Sequence, residues 1–569
     1  MSSRRIAIFI LGASALPLAQ KIKAEIGGDI HGPEGLVGCG KHYEQAVQGI
    51  ARAWRMSHAV IGICASGILI RAIGPLLKSK LREPPLISVA EDGSSIVPLI
   101  GGHHGANDLG RKIAEITKGH AAITTASDVM FGEAFDESGE GIVLANPEDM
   151  KSATAARLRG EEVTQELTIY RKAGGPKHLV YHPRVLAVGI GCERGTDPAE
   201  VKQLLQDTLT AHNIVEHSIH QYGSIDLKED EPAIEQFGNN FYFTAEQLKT
   251  EQHRITSPSK IVEDEVGTPS VAEAAALALV GPNGKLIVAK TKSKHATIAI
   301  AQAAHHDDFE FHAGRRRGHI AVVGIGPGEA GMMTPNVDFE LWFASEWVGY
   351  SLYLDLVENL RHGQTRHDFP LGDEEARCRK AIALAKTGKR VALICSGDAA
   401  IYAMAALVYE LIDREPTRVE VEVHPGISAF QAASAKVGAM IGHDFCCISL
   451  SDLLTPWAAI EKRLHAAAEG DFVISFYNPR SIKRRDQIEK AFAILKPHRR
   501  PDTPVVIATN LGRPEENVRI RRFDEFNPEE VDMLTLVMVG SSQSKAFKRG
   551  DGRTYAYTPR GYAKKMSPL

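Results

Sequence analysis

Cysteine is scarce and scattered: seven residues, at 39, 64, 192, 378, 395, 446 and 447, with no C-x-x-C pair among them. An odd, unpatterned set argues against a disulfide framework and for a reducing, cytoplasmic setting. No apolar run approaches the ~20 residues that a membrane span needs. Neither sign of charge dominates. Lys and Arg number 66 against 70 acidic residues, a net of −4, so no global basic field draws nucleic acid. Arg4-Arg5 ahead of the apolar run Ile6–Leu11 mimics a short signal peptide. Charges alternate straight after Gln20, however, which favours a first strand, a loop at Gly12 and a helix. What remains is ordinary for a globular chain: 44% hydrophobic and 24% charged residues. A length of 569 residues allows about three or four domains.

The informative stretch is His319-Ile-Ala-Val-Val-Gly324-Ile-Gly326-Pro327-Gly328. A buried, largely β-branched strand runs into a loop with three glycines. Glycine lets the backbone take positive φ and approach a ligand, and proline stiffens the turn. The order G-x-G-P-G is not the dinucleotide fingerprint. A lone Gly-rich loop also reads as a plain tight turn, but two more junctions of this kind follow. Arg390–Cys395 breaks into Ser396-Gly397-Asp398, and Val419–Val423 breaks into His424-Pro425-Gly426-Ile427-Ser428-Ala429. Such strand ends are where α/β proteins bind small molecules.

These residues, with Val348-Gly-Tyr350, Tyr353-Leu-Asp355, Ser475-Phe-Tyr-Asn-Pro-Arg480 and Ala508-Thr-Asn-Leu-Gly512, carry a resemblance. Residues 318–558 resemble the tetrapyrrole methyltransferases that use S-adenosylmethionine, and within them the precorrin-3B C-17-methyltransferases of cobalamin synthesis. The resemblance implies a two-lobed α/β fold, a homodimer, and cofactor contacts at Pro327, Ser396, Gly397, Asp398, Ile401, Ser428, Ala429, Asn478 and Gly512. Asp398 reads equally as an Asx-turn residue. The implied substrate is a porphyrin-like macrocycle rich in carboxylates. Arg480, Lys483, Arg484, Arg485, Arg513, Arg519, Arg521 and Arg522 are available to pair with it, with Arg480 and Arg513 the expected substrate binders. A methyl donor that brings its own positive charge asks little acid–base chemistry of the protein, so positioning carries most of the rate.

Ahead of this lie strand and helix patterns in alternation, as in an α/β domain. Strands are expected at 59–64, 86–90, 96–100 and 121–125. The loop Gly101-Gly-His103-His104-Gly-Ala-Asn107-Asp108 is the chemical centre of residues 1–140. Its histidines are candidate general bases, and Asn107 or Asp108 is expected to cap the following helix. A second α/β unit, 184–304, opens with Val185–Gly191 and ends in Lys290, Lys292 and Lys294. At strand spacing those lysines share a face, to hold substrate carboxylates or to protect an edge strand. Residues 141–183 read as a connector and 305–317 as a short solvated linker.

Three N-terminal motifs, Ile73–Lys78, Gly101–Asp108 and Thr124–Asp128, carry a second resemblance. So do five later ones: Val188–Cys192, Ser224–Lys228, Glu231-Pro232, Ser270–Ala274 and Lys290–Lys294. Residues 1–302 resemble the cobalt-precorrin-5A hydrolases. That implies a lactone-opening hydrolase with His103, His104 and Asp226 as candidate catalytic residues and Lys290 and Lys292 as substrate binders. A non-catalytic corrinoid-binding module is the alternative. The whole is expected to be an α/β fusion: two hydrolase-like α/β domains, then a two-lobed methyltransferase. No metal site is expected.

Overall fold

Runs of β-branched residues ending in glycine or a polar turn become the parallel strands of this molecule. The computed structural model describes residues 6–77, 83–102, 105–123, 141–310, 312–361, 363–481 and 484–562. The chain forms two compact units, Met1–Arg317 and Gly318–Leu569.

The first unit begins with β1 (Ile6–Ile10), β2 (Asp29–Pro33), β3 (Lys41–Tyr43), β4 (Ala59–Ile63), β5 (Leu86–Val89), β6 (Ser95–Ile100) and β7 (His120–Ala121). They lie in the order β3-β2-β1-β4-β5-β6-β7, parallel except between β5 and β6. Every residue of β1 and β4 is buried, as central strands covered on both faces must be. The part of the expected 121–125 strand beyond Ile123 lies outside the described residues.

Residues 141–183 are not a bare connector. They form β8 (Ile142–Leu144), β9 (Thr164–Leu167) and β10 (His178–Pro183), ordered β8-β10-β9, with the helix Met150–Leu158 packing Ala153 against Leu179 and Tyr181. The strands are too short for a period to stand out. Asn146 closes the module by accepting the Val180 N–H at 3.0 Å and donating to the His178 carbonyl at 3.1 Å.

Next come β11 (Leu186–Cys192), β12 (Ile219–Ile225), β13 (Asn240–Phe243), β14 (Lys285–Lys292) and β15 (Ala296–Gln302), ordered β13-β12-β11-β15-β14. The small-residue helix Ala272–Val280 lies flat on this sheet because Gly189 admits it: a Cβ there would sit 1.9 Å from the Ala272 carbonyl oxygen.

Residues 305–317 are not a solvated hinge either. Phe309 is buried, Arg315 grips Glu229 through two hydrogen bonds of 2.8 and 2.6 Å, and its backbone bridges to Tyr242. The basic run makes internal ion pairs, Arg317–Glu235 at 3.3 Å among them. Local sequence cannot separate such pairs from solvated charge, because their partners lie about 80 residues upstream.

In the second unit β16 (His319–Gly324), β17 (Glu346–Tyr350), β18 (Thr365–Phe369), β19 (Arg390–Cys395) and β20 (Glu420–His424) form an all-parallel sheet ordered β18-β17-β19-β16-β20. Then follow β21 (Gly438–Ala439), β22 (Phe445–Ser449), β23 (Val473–Tyr477), β24 (Pro504–Thr509), β25 (Asn517–Arg522), β26 (Thr535–Val539), β27 (Lys545–Lys548) and β28 (Thr554–Tyr557). Five of these make a mixed sheet, β22-β23-β26-β24-β25. β22 and β23 are parallel, and β23 and β24 both run against β26. The C-terminal ends of β22, β23 and β24 therefore share one edge. Among the described residues no helix is long and apolar enough to cross a membrane.

Candidate functional site

The three glycine-broken strand ends of the second unit meet. Gly326, after β16, and Gly397, after β19, both have positive φ (78° and 66°). They exchange two backbone hydrogen bonds, 3.1 Å from Gly326 N to Gly397 O and 2.7 Å in return. Gly426, after β20, packs so closely that a Cβ on it would fall 2.1 Å from Gly397 O and 2.2 Å from Gly324 O. Only glycine permits that approach.

Asp398 ties the loops by its side chain. Oδ1 accepts the N–H groups of Ala400 (2.8 Å) and Ile401 (3.2 Å), and Oδ2 accepts that of Gly426 (3.2 Å). The Asx turn and the junction role thus coexist in one residue. Gly397 faces Ser428 and Ala429 at contact distance: a Cβ on it would lie 3.8 Å from Ser428 Cα and 3.9 Å from Ala429 N. Ser428 caps the helix Ala429–Val437 and takes the Gln431 side chain on its own N–H at 2.9 Å. Ile401 and Ala429 border the same apolar cluster.

The mixed sheet supplies the rest. Gly512, at φ 67°, lies against the first loop; its Cβ would sit 2.7 Å from Glu329 N. Arg513 donates from Nε to the Pro327 carbonyl (3.0 Å) and from Nη2 to Ser396 Oγ (3.1 Å), with its guanidinium over the Tyr353 ring at 5.8 Å. Pro327, Ser396, Gly397, Asp398, Ile401, Ser428, Ala429 and Gly512 therefore form one cluster. Asn478 joins it only at a remove. It holds φ +48°, a conformation asparagine tolerates well. Its amide donates to Ser449 Oγ at 3.1 Å. Ser449 N in turn donates to Tyr402 Oη at 3.2 Å, and that hydroxyl donates to the Cys447 carbonyl at 2.9 Å.

The two arginines expected to bind substrate are occupied within the protein. Arg513 clamps the first two loops, and burial lowers its pKa. Arg480 donates to the Pro528 carbonyl at 2.7 Å and to Glu529 at 2.5 Å. Arg519 and Arg521 pair with Glu530, and Arg522 with Asp524. Arg484 donates to the carbonyls of Leu450 and Asn478. Lys483 lies outside the described residues. Sequence proximity to the motifs flagged these cations but not their partners; Arg513 meets Pro327 across 186 positions.

In the first unit, His103 and His104 lie outside the described residues. The helix after them, Ala106–Thr117, is not capped by Asn107 or Asp108. Gly105 is its N-cap, in the left-handed region at φ 83°, and no side chain caps it. That placement puts Asn107 inside the first turn, where it is buried, and turns Asp108 to Arg111 at 2.6 Å.

Asp226 stands at the C-terminal end of β12, 3.8 Å from Arg315 Nη2. Lys290 does not stand in a free row. Its Nζ donates to the Ser257 carbonyl at 2.6 Å, and β14 changes register between Val288 and Thr291, which breaks the alternation that lysine spacing implied. Lys292, the last residue of this edge strand, and Lys294, in the turn to β15, remain exposed.

Two carboxylates in this unit went unassigned from sequence. Glu273, fully buried, accepts from Thr256 N (2.7 Å), Thr256 Oγ (3.0 Å), Ser257 N (3.0 Å) and Lys290 N (2.9 Å). Burial pushes its pKa up, but these donors outweigh burial and hold it below the usual value. It is a clamp between the 256–257 loop and β14. Glu231, 1% exposed, accepts the Gly195 N–H at 3.0 Å and lies 3.3 Å from Arg194 Nη1. With Cys192, whose thiol burial raises to about 11, it groups polar chemistry at the ends of β11 and β12. The only signal was Glu231-Pro232, which local pattern reads as a helix start.

The comparisons follow this division. The family model of the Tetrapyrrole (Corrin/Porphyrin) Methylases matches residues 319–527. The models of the Cobalamin synthesis G C-terminus and N-terminal regions match 186–301 and 48–128. The chain is 44% identical over 257 residues to "Cobalamin biosynthesis protein CobIJ" of Mycobacterium bovis, which covers 44% of this chain and 50% of that protein; the chain thus spans half the length of that relative. It is 40% identical over 249 residues to "Precorrin-3B C(17)-methyltransferase" of a Sinorhizobium species, covering 43% of this chain and 98% of that one. It is also 40% identical over 255 residues to "Cobalt-factor III methyltransferase" of Priestia megaterium, 44% of this chain and 46% of that one. With 98% of the Sinorhizobium protein covered at 40% identity and the methylase model falling on residues 319–527, the chain belongs to the tetrapyrrole methylases, fused behind regions of the cobalamin synthesis G type.

Proposed function

We propose that the second unit is an S-adenosylmethionine-dependent methyltransferase acting at C-17 of precorrin-3B or its cobalt form, with contraction of the macrocycle. The observation that carries this reading is the joint formed by Gly326, Gly397, Asp398 and Gly426. When bound, S-adenosylmethionine supplies an electrophilic methyl group on a sulfonium. Pro327, Ser396, Gly397, Asp398, Ile401, Ser428, Ala429 and Gly512 would hold it, and the glycines fit the task because they let backbone stand where a side chain would intrude. The protein's part is then to fix the donor, exclude water and present the macrocycle carbon in line. Incubation of the chain with S-adenosylmethionine and precorrin-3B, with and without cobalt, tests it. The product mass rises by one methyl group if the reading is right and stays unchanged if it is wrong.

The first unit, in the same proposal, hydrolyses the lactone of a later cobalt-precorrin intermediate, with His103, His104, Asp226 and Glu231 as candidate acid–base groups and Lys292 toward substrate carboxylates. A binding-only role is favoured by one observation: Asp226 faces Arg315 and Lys290 is bonded to Ser257, so neither stands free for chemistry. Assay of lactone opening by the wild-type chain separates the two: no opening leaves the binding role, and opening that survives substitution of His103 and His104 together removes those histidines from catalysis. Cytoplasmic location and a homodimer through the second unit belong to this reading as well.

A further inference from the structure

Away from the joined loops, the second unit gathers two carboxylates and two imidazoles beside edge strand β20. Glu422 and His424 alternate along β20 and so share a face. His319 of β16 lies on that same face, since it pairs with Glu420. Glu340 reaches the group from the helix Pro335–Phe343. One ligand atom each from Glu340, Glu422 and His424 lies within 4.8 Å of the others. Glu422 Oε2 is 3.3 Å from His319 Nε2 and 3.4 Å from His424 Nε2.

Two features single this group out from surface charge. His424 Nε2 and His319 Nδ1 are buried and make no hydrogen bond, and His319 is 4% exposed. His424 Nε2 stands 3.4 Å from Glu422 Oε2 without hydrogen-bond geometry, and a cation between the two atoms would satisfy both. The charge around His319 also suits a cation: Glu340, Glu420 and Glu422 act on it from one side of the balance and Arg390 from the other. Arg390 donates to Glu340 Oε2 at 2.9 Å. A carboxylate has two oxygens, so this bond orients Glu340 as an outer partner would orient a metal ligand.

We propose that Glu340, Glu422 and His424 bind a first-row divalent cation of the zinc class, with His319 as a fourth ligand or the hydrogen-bonded support of Glu422. Imidazole and carboxylate donors suit such an ion. A tetrahedral site with bonds of about 2.0–2.1 Å brings its ligand atoms to within about 3.4 Å of one another, so the side chains close by roughly an ångström on loading. Glu422, half exposed, is the open side. The ion fastens edge strand β20 to the helix that carries Glu340, at the root of the loop whose Gly426 N–H reaches Asp398. The proposal is independent of which methyl acceptor the unit takes.

The test is titration of the chelator-stripped full chain with zinc chloride against a chromophoric competitor. One equivalent is expected to bind. E340Q and H424Q are each expected to weaken it by about tenfold or more, and the double variant to abolish it. No bound equivalent, or one retained unweakened in a double variant with a wild-type circular dichroism spectrum, overturns the proposal. Should the variants fail to fold, the wild-type chain loaded with Co2+ decides: visible bands without a thiolate charge-transfer band support nitrogen and oxygen ligands here, and a thiolate band places the ion on cysteine and overturns the site.

Discussion

Asp398 Oδ2 accepts the backbone N–H of Gly426 at 3.2 Å, so a single carboxylate belongs to the second loop and positions the third. D398A removes the acceptor of three N–H groups. Its affinity for S-adenosylmethionine, by calorimetry, should fall at least tenfold, about 1.4 kcal/mol. Affinity within twofold of wild type would mean that the loops hold their places without it.

Gly426 tests the packing rather than the polar contact. In G426A the new methyl meets two carbonyl oxygens that cannot rotate away. Overpacking of this kind costs about 1–3 kcal/mol, so the unfolding midpoint of the second unit should drop by several degrees. An unchanged midpoint would mean that the three loops do not meet as described.

Arg513 separates two roles. R513K keeps the charge but loses the fork that spans Pro327 and Ser396. The expected outcome is weakened S-adenosylmethionine binding, about tenfold, with little change in macrocycle KM. A rise in macrocycle KM alone would return Arg513 to the substrate.

The first unit should be acid-sensitive through its histidines. Burial, then Lys41 and Arg52, lowers His31 to about 3. Burial, then His306 and nearby arginines, lowers His220 to about 4, and burial with Arg316 does the same for His312. All three stay neutral when folded and take up protons when unfolded below about 6.5. Stability is therefore full above pH 6.5 and declines as pH falls toward 4, by up to about 1.4 kcal/mol per pH unit for each histidine. Denaturation of H31F between pH 7.5 and 4.5 should show a shallower decline by about one proton. A decline as steep as wild type would mean that His31 is not held neutral.

Much of the fold was legible because strands such as 319–324 and 390–395 are continuous apolar runs, and each leads into a loop broken by glycine, Gly326 and Gly397. The cofactor cluster was legible for the same reason, since glycine and proline mark where backbone must approach. What escaped depends on distant partners. Arg480 and Arg513 look like free cations until Pro528 and Pro327 are brought beside them. Glu273 lies inside the Ser270–Ala274 motif with nothing local to show that Thr256, Ser257 and Lys290 converge on it. The module 141–183 escaped because strands of three to six residues carry too few alternations to register.

The paired hydrogen bonds between Gly326 and Gly397 have an entropic consequence. Two loops that lean on each other cannot fluctuate separately, so the wall they form takes its shape when the chain folds, before any ligand arrives. A guest meeting a preorganised surface is spared the ordering penalty that a floppy pair of loops would impose at the moment of binding.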